Sequence, residues 1–167
     1  MREDTLKMDF AFSEEATKEI KEIMGHYPEK RSALIPLLHL AQKENGYLSE
    51  PVMRHVAEVL DLTPIQVYEV ATFYSMFNLK PVGKYLLQVC HNLSCSLMGA
   101  DSLIDYLKEK LGIDIGETTP DNMFTIKTVE CLASCGTAPV MQVNDDYHEN
   151  LTKEKVDELI EQFRSSK

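Results

Sequence analysis

The sequence predicts a small bundle of helices followed by a mixed α/β domain. Its 167 residues are enough for one large domain or two small ones. Apolar residues recur at helical spacing over roughly the first 80 residues, and short apolar segments alternate with helices after that. Between the two parts, Pro81 and Gly83 interrupt the periodic pattern, as is typical of a boundary. We therefore expect one domain at residues 1–80 and a second at residues 81–167.

The first two helices are indicated by their caps. Ser13 precedes an acidic first turn at residues 14–15, which suits the positive end of a helix, and Gly25 marks the end of this helix. A second helix is predicted over residues 32–45, and Gly46 ends it in the left-handed conformation that glycine adopts readily. Apolar residues line one face of each helix, so both are expected to pack in a core.

Two more helices complete the predicted bundle. A third runs from Ser49 to about residue 60, with valines at helical spacing. The fourth begins after Thr63, whose hydroxyl can cap the helix. Pro64 takes the first helical position, and Gln66 completes a capping box.

The second domain is predicted to have the order β-α-β-β-α. Its strands are short apolar or alternating segments bounded by turn residues, and a threonine caps the last helix. The predicted strands are residues 84–90, 124–130, 139–144 and 147–148, and the predicted helices are residues 98–111 and the segment after Thr152.

Four cysteines in two close pairs are the most informative feature of the chain. Cys90 and Cys95 form a C-x4-C pair, and Cys131 and Cys135 form a C-x3-C pair. Each pair follows a predicted strand, so the fold can bring both pairs to one edge of a sheet. Four thiolates with no open position for water or substrate indicate a centre that stores electrons rather than one that makes bonds. We expect no catalytic residue in this chain.

The cysteine spacing favours an iron–sulfur cluster and leaves alternatives open. Structural zinc sites prefer C-x2-C pairs, and redox dithiols also use two intervening residues. Longer loops suit two separated irons, whereas the third cysteine of plant-type ferredoxins and the cysteine run of bacterial ferredoxins are absent. A zinc site and four buried structural cysteines remain as alternatives. His91 is interpreted as a loop residue, because four cysteines already complete a ligand set.

Polar groups near the cysteines are expected to donate hydrogen bonds to sulfur and so to tune a reduction potential. A helix that starts just after Cys95 would also point its positive end toward a negatively charged cluster. The candidate donors are Asn92, Ser94, Ser96, Ser134, Gly136 and Thr137.

The composition excludes several classes of protein. A formal net charge of -10 argues against nucleic acid as a partner, since its binding needs a basic face. No apolar run approaches the ~20 residues of a membrane helix, and the charged N-terminus at residues 1–7 has no signal-peptide core. The chain is therefore expected in the cytoplasm, where disulfides are rare. No glycine-rich dinucleotide motif is present, so we expect no NAD site in this chain.

An aromatic and methionine-rich stretch lies at the end of the predicted bundle. For these side chains we favour core packing between the bundle and the second domain, and docking on another subunit is the alternative interpretation. The stretch comprises Tyr68, Phe73, Tyr74, Met76 and Phe77.

The sequence resembles a known family at several motifs. These are residues 71–77, the first cysteine pair with its flanks at residues 89–95, and residues 130–139 around the second pair, followed by residues 144–152. On these motifs the chain resembles the thioredoxin-like [2Fe-2S] subunit, of E type, of NADH:quinone oxidoreductase, the respiratory complex I. The resemblance covers about residues 12–163.

The resemblance implies a thioredoxin-like [2Fe-2S] ferredoxin domain after the helical bundle. It also implies that Cys90, Cys95, Cys131 and Cys135 are the ligands of one [2Fe-2S] cluster. Pro139 stands where thioredoxin-like folds often have a cis proline. The bundle is expected to dock on a flavoprotein subunit that binds FMN and NADH, and the flavin is expected to exchange electrons with the cluster.

The resemblance further implies where the chain acts. It is expected to form a heterodimer with the flavoprotein within a larger complex, peripheral on the cytoplasmic face of the inner membrane and not inserted in it. It would serve the oxidoreductase as an electron-transfer subunit and make no substrate bond itself. Equivalent subunits of NAD-linked hydrogenases and formate dehydrogenases are alternatives that the motifs do not separate. A zinc-stapled interaction module is an alternative of a different class.

Overall fold

The computed structural model describes residues 10–166, and these form two compact units that divide in the sequence between Pro81 and Val82. The charged N-terminal stretch at residues 1–7, which bears on the prediction about signal peptides, lies outside the described residues. Within residues 10–166, no helix is both long enough and apolar enough to cross a membrane.

The first unit has four α-helices within its described residues, as predicted. Their caps follow the sequence signals: Ser13 Oγ accepts a hydrogen bond from the Ala16 amide at 3.1 Å, and Thr63 and Gln66 form the predicted capping box. The helices are α1 (Glu14–Gly25), α2 (Leu34–Asn45), α3 (Glu50–Leu60) and α4 (Pro64–Phe73).

The second helix differs from its prediction at the start. It begins at Leu34 rather than at residue 32, because Lys30–Ala33 forms a 3-10 turn ahead of it. It ends at Asn45, and the next residue, Gly46, caps it with a φ of 82°. This is the left-handed conformation that the sequence predicts for a glycine at a helix end.

The core of the first unit lies between the inward faces of its helices. Leu37, Leu38 and Val56 are fully buried there, and burying one such side chain contributes about 1.5–3 kcal/mol. Phe77 is also buried, at 4% exposure, and the centroid of its ring lies 5.0 Å from that of His39.

Of the aromatic stretch, only Phe77 is buried, and it packs in the core of the first unit; the predicted packing between the bundle and the second domain stays a prediction. The inward face of α4 is formed by Val67 and Ala71, so residues at other helical positions point away from it. Phe73 is 79% exposed. The other exposed members of the stretch are Tyr68, Tyr74 and Met76.

The second unit is a mixed α/β domain around a four-stranded sheet in the order β2-β1-β3-β4. The predicted succession of strands and helices is confirmed, with one additional short helix before the long one. The elements are β1 (Tyr85–Cys90), α5 (Leu93–Leu97), α6 (Ala100–Leu111), β2 (Phe124–Val129), β3 (Met141–Val143), β4 (Asp146–His148) and α7 (Lys153–Ser165).

Strand β1 lies inside the sheet, parallel to β2 and antiparallel to β3. Cys90, the last residue of β1, pairs with Val129, the last residue of β2. Strands β3 and β4 form a hairpin that turns at Asn144, which has a φ of 52°. Because parallel strands end at the same side of a sheet, the loops that carry the two cysteine pairs leave the sheet side by side.

The helix predicted over residues 98–111 begins later, and Cys95 lies in a helix of its own. Cys95 is part of α5, and α6 begins only at Ala100. Gly99 separates the two helices with a φ of 96°, a conformation that glycine adopts without a steric penalty. The prediction of a helix that starts just after Cys95 is therefore wrong.

The start of β1 packs closely against β2, and the other side of β2 is covered. The Gly83 amide donates to Thr125 Oγ1 at 2.7 Å, and a Cβ at Gly83 would lie 2.8 Å from the Phe124 nitrogen. On the far side of β2, the Gly116 amide donates to the Ile126 carbonyl at 2.7 Å. The β1–β2 pair, from which both cysteine loops depart, is therefore closely packed and covered on its outer side.

Candidate metal centre

The first cysteine of the site is fixed by the sheet. Cys90 is 3% exposed, and its amide donates to the Val140 carbonyl at 3.1 Å. The next amide, of His91, donates to the Val129 carbonyl at 3.1 Å, so the strand end is held from both sides. The Cys90 thiol lies 3.7 Å from the Glu130 carbonyl oxygen. Backbone pairing therefore sets the position of this thiol.

The second cysteine is fixed by a short helix. Cys95 is 2% exposed within α5, and Asn92 caps that helix by accepting the Leu93 amide at 2.7 Å. Burial raises the pKa of the Cys95 thiol above its ordinary value, as does a hydrogen bond with Cys90, while an amide hydrogen bond from Val140 partly offsets both. Cys90 and Cys95 are thus in direct contact.

The second cysteine pair lies on an exposed and irregular loop. Cys131 and Cys135 are both exposed. The Ala133 amide donates to Cys131 Sγ at 3.3 Å, and Ala133 has a φ of 58°, a left-handed conformation that costs an alanine about 1–2 kcal/mol. Cys135 begins a single 3-10 turn, Cys135–Thr137. Little regular backbone structure holds this pair.

Side chains from the β4 region hold the second loop instead. The hydroxyls of Ser134 and Thr137 both donate to Oε1 of Glu149. These two hydrogen bonds keep the pKa of the Glu149 carboxyl below its ordinary value. The Tyr147 hydroxyl donates to the Leu132 carbonyl at 3.0 Å. The loop is therefore anchored at three of its residues by two side chains remote in sequence.

The chain after the second pair is also tied down by its backbone. The peptide bond between Ala138 and Pro139 is cis, at the position where thioredoxin-like folds often have a cis proline. The Asn150 amide donates to the Thr137 carbonyl at 2.7 Å, and the Leu151 amide donates to the Pro139 carbonyl at 3.1 Å.

The four predicted ligands lie at one edge of the sheet but do not surround one point. Cys90 and Cys95 belong to one small buried cluster, and the charge of Cys135 adds to the raised pKa of Cys95. All four cysteines are free thiols. Across residues 10–166, no three Cys, His, Asp or Glu side chains are placed to hold a single metal ion together.

The donor set fits a two-iron cluster. A [2Fe-2S] cluster takes four cysteine thiolates over two irons, whereas a structural zinc site gathers four donors around one ion. Two cysteine-bearing loops at one sheet edge supply four thiols for the first arrangement. Backbone amides already reach the sulfur atoms of Cys95 and Cys131, as expected around a cluster of negative charge.

His91 pairs with a carboxylate beside the cysteines. Its Nε2 lies 3.5 Å from Oε1 of Glu130. This contact links the residues that follow β1 and β2. The interpretation of His91 as a loop residue rather than a ligand stays a prediction.

Of the side chains predicted to donate to sulfur, three hydroxyls donate to carboxylates, and the side-chain oxygen of Asn92 accepts a backbone amide. The Ser96 hydroxyl donates to Asp101 at 2.6 Å, the hydroxyls of Ser134 and Thr137 donate to Glu149, and the Asn92 side chain caps α5.

The sequence patterns gave no role to Asp101, Tyr147 or Glu149. The last two lie in the motif at residues 144–152, which carried the resemblance without any assignment of its polar residues. Tyr147 and Glu149 approach Leu132 and Ser134 only in the folded chain, and no spacing rule predicts that contact.

The fold and the site define a class, that of small mixed α/β proteins whose cysteine-bearing loops hold an iron–sulfur centre for electron transfer. The family model for thioredoxin-like [2Fe-2S] ferredoxins matches residues 20–164. This chain belongs to that family, which confirms the resemblance and the predicted thioredoxin-like fold. One [2Fe-2S] cluster is accordingly its cofactor.

Relatives in other organisms are similar over nearly the whole chain. The chain is 50% identical over 149 residues to the E 2 subunit of NADH-quinone oxidoreductase from Rhizobium meliloti (strain 1021), covering 89% of each chain. It is 47% identical over 161 residues to the E subunit of NADH-quinone oxidoreductase from Rickettsia felis, covering 95% of this chain and 96% of the relative.

A solved structure has a similar fold. A chain in the crystal structure of NAD+-reducing [NiFe]-hydrogenase in the air-oxidized state superposes with a TM-score of 0.67 at 21% identity, over 77% of this chain. This chain spans 23% of that hydrogenase chain. The likeness therefore concerns the fold alone.

Proposed function

We propose that this chain is the E-type electron-transfer subunit of an NADH–quinone oxidoreductase. The observation that carries the proposal is its 47–50% identity to such subunits over most of its length. Membership in the thioredoxin-like [2Fe-2S] ferredoxin family agrees with it. In this function the chain transfers electrons within an oxidoreductase and forms no bond to a substrate.

The proposed ligands of the cluster are Cys90, Cys95, Cys131 and Cys135. When bound, the cluster supplies one-electron chemistry. The chain orients the thiolates, with the first two fixed by β1 and α5 and the last two presented by an exposed loop. It also donates backbone hydrogen bonds to sulfur at Cys95 and Cys131 and shields the first pair from water.

The proposed partner is a flavoprotein subunit that binds FMN and NADH, and the helical unit is the proposed docking surface. Support comes from the large apolar side chains that α4 exposes: Phe73 is 79% exposed and Ile65 is 60% exposed. Ile65, Tyr68 and Met53 also line a groove of about 390 Å³ on the same unit. Exposed apolar and aromatic groups in such density are typical of protein interfaces.

The particular complex is proposed from the relatives. The Rhizobium and Rickettsia proteins are both subunits of NADH-quinone oxidoreductase, whereas the hydrogenase is similar in fold. We therefore favour complex I over a hydrogenase or a formate dehydrogenase. We place the chain on the cytoplasmic face of the inner membrane, held there by other subunits.

The test is an anaerobic purification through a tag on this chain, with its native partners attached. We expect about two irons and two acid-labile sulfides per chain, as a [2Fe-2S] cluster requires, together with FMN and NADH-oxidising activity. Cys→Ser at each of Cys90, Cys95, Cys131 and Cys135 should abolish or distort the S = 1/2 EPR signal that dithionite reduction produces.

The matched control is Ser94→Ala, a substitution in the first cysteine loop that removes no thiol. It should leave the EPR signal intact. Zinc in place of iron would contradict the electron-transfer function. A normal signal in one Cys→Ser variant would contradict that ligand alone, and absence of FMN from the purified assembly would contradict the flavoprotein partner.

A further inference from the structure

Hydroxyl groups beside both cysteine loops are bound by carboxylates. Ser134 precedes Cys135, and its hydroxyl donates to Oε1 of Glu149. The Thr137 hydroxyl donates to the same oxygen at 2.6 Å. The first loop repeats the pattern directly after Cys95, where the Ser96 hydroxyl donates to Oδ2 of Asp101 at 2.6 Å.

These hydrogen bonds determine which hydrogen-bond donors remain available to the cysteine sulfur atoms. A hydroxyl has a single hydrogen to donate, so one that donates to a carboxylate has none left for a thiolate. The donors found at sulfur are backbone amides: the Ala133 amide lies 3.3 Å from Cys131 Sγ, and the Val140 amide bonds Cys95. Three hydroxyls beside the cysteine loops thus donate to carboxylates rather than to sulfur.

We propose that Glu149 and Asp101 are positioning residues that hold the reduction potential of the cluster low. They act in two ways, and both lower the reduction potential. Each keeps a negative charge beside one cysteine loop, and each binds hydroxyl hydrogens that would otherwise be free to donate to sulfur. The inference rests on the proposed function, because it takes the four cysteines as the cluster ligands.

The charge of Glu149 is set by its own hydrogen bonds. Donation from Ser134 and Thr137 keeps the pKa of its carboxyl below the ordinary value, so the group is ionised at neutral pH. Lys155 lies nearby, but its ammonium donates to the backbone carbonyls of Glu149 and Asn150 at 3.5 and 3.0 Å. Reduction adds a negative charge to the centre, and a neighbouring carboxylate opposes that addition.

The test is a redox titration of the cluster-loaded protein, followed by EPR. Glu149→Gln removes the charge and keeps an oxygen that accepts hydrogen bonds, and Asp101→Asn does the same in the first loop. In both variants we expect the midpoint potential to rise. The ratio of reduced to oxidised cluster at a fixed potential should increase about tenfold, which is about 59 mV for a one-electron couple.

Glu154→Gln is the matched control. The Glu154 carboxylate also accepts a hydrogen bond from a threonine hydroxyl, that of Thr152 at the start of α7. The charge change is the same, but its hydroxyl partner belongs to neither cysteine loop. Because this carboxylate is hydrogen-bonded to neither cysteine loop, we expect a change of less than about twofold in the same ratio.

A further variant tests whether the hydroxyls serve the carboxylate or the sulfur. Thr137→Val removes the hydroxyl and nearly keeps the side-chain shape. Because this hydroxyl donates to Glu149, we expect the potential to stay unchanged. A tenfold fall in the ratio of reduced to oxidised cluster would mean that the hydroxyl donates to sulfur, and the inference would be overturned.

The remaining outcomes separate this inference from the proposed function. Unchanged potentials in both Glu149→Gln and Asp101→Asn overturn the inference while the function stands. If Glu149→Gln does not retain iron, Asp101→Asn alone decides. Absence of iron and sulfide from the wild-type protein is a failure of the proposed function instead.

Discussion

The two cysteine loops are built by different means. Cys90 and Cys95 are buried at the end of β1 and inside α5, where backbone hydrogen bonds fix them. Cys131 and Cys135 are exposed on an irregular loop that depends on side-chain hydrogen bonds from Tyr147 and Glu149.

This difference shows that the first cysteine pair is part of the hydrophobic core, whereas the second pair lies on a surface loop held by side-chain hydrogen bonds. Secondary structure formed by apolar burial fixes the first pair, so it persists as long as the second unit is folded. The second pair can change its surroundings without disturbing the core. Substitutions of equal size should therefore have unequal effects in the two loops.

The largest effect on stability is expected at Gly83, where the chain enters β1 and packs against β2. Gly83→Ala places a Cβ 2.8 Å from the Phe124 nitrogen, so β1 and β2 must separate. We expect the free energy of unfolding to fall by about 2–3 kcal/mol, as measured by urea denaturation. The control is Gly136→Ala in the second loop, where an added Cβ meets no atom within 4 Å and a change within about 0.5 kcal/mol is expected. Equal losses of unfolding free energy in the two variants would contradict the difference between the rigid strand pair and the second cysteine loop.

An intermediate effect is expected from truncating a thiol in the metal-free protein. Cys95→Ala leaves a small cavity in the buried cluster that includes Ala100 and Val140, and we expect a loss of about 1–2 kcal/mol. Cys135→Ala removes an exposed thiol and should change the unfolding free energy by less than about 0.5 kcal/mol. Denaturation curves of both variants, prepared without iron, measure this. A larger loss of unfolding free energy in Cys135→Ala than in Cys95→Ala would contradict the conclusion that only the first pair is part of the core.

The smallest effect is expected from Glu149→Gln and depends on pH. The pKa of the Glu149 carboxyl is lower in the folded protein than its ordinary value of 4.5, so its charged form favours the folded state. That contribution is complete above the ordinary value and is lost as the pH falls through the folded-state value. The stability difference between wild type and Glu149→Gln should therefore shrink on acidification. Urea denaturation at a series of pH values measures it, and a difference that stays constant down to about pH 3 would contradict this pH dependence.

Local signals in the sequence were sufficient for most of the elements. Ser13, Gly46 and the Thr63–Gln66 pair act in the structure as their residue types predict. Local signals also placed the cysteine pairs at strand ends, because a strand bounded by turn residues can be predicted from the few residues around it. The family motifs then supplied the thioredoxin-like fold.

What the sequence did not predict depends on contacts between distant residues or on single backbone angles. Gly99 divides two helices that periodicity joins into one. Phe73 carries an aromatic ring outward, although hydrophobicity alone favours its burial. Glu149 reaches Ser134 through the fold of the β3–β4 hairpin. Hydrogen bonds formed across such separations leave no periodic mark in a sequence.

The covered edge of β2 bears on how the chain behaves at high concentration. A strand with a free edge presents unpaired amides and carbonyls, and these can recruit a strand of another molecule. Here the segment around Gly116 bonds to Ile126 on that edge, and the opposite edge of the sheet is β4, which spans only Asp146–His148. Neither side offers a long row of unpaired groups, so the sheet is protected against aggregation through edge pairing.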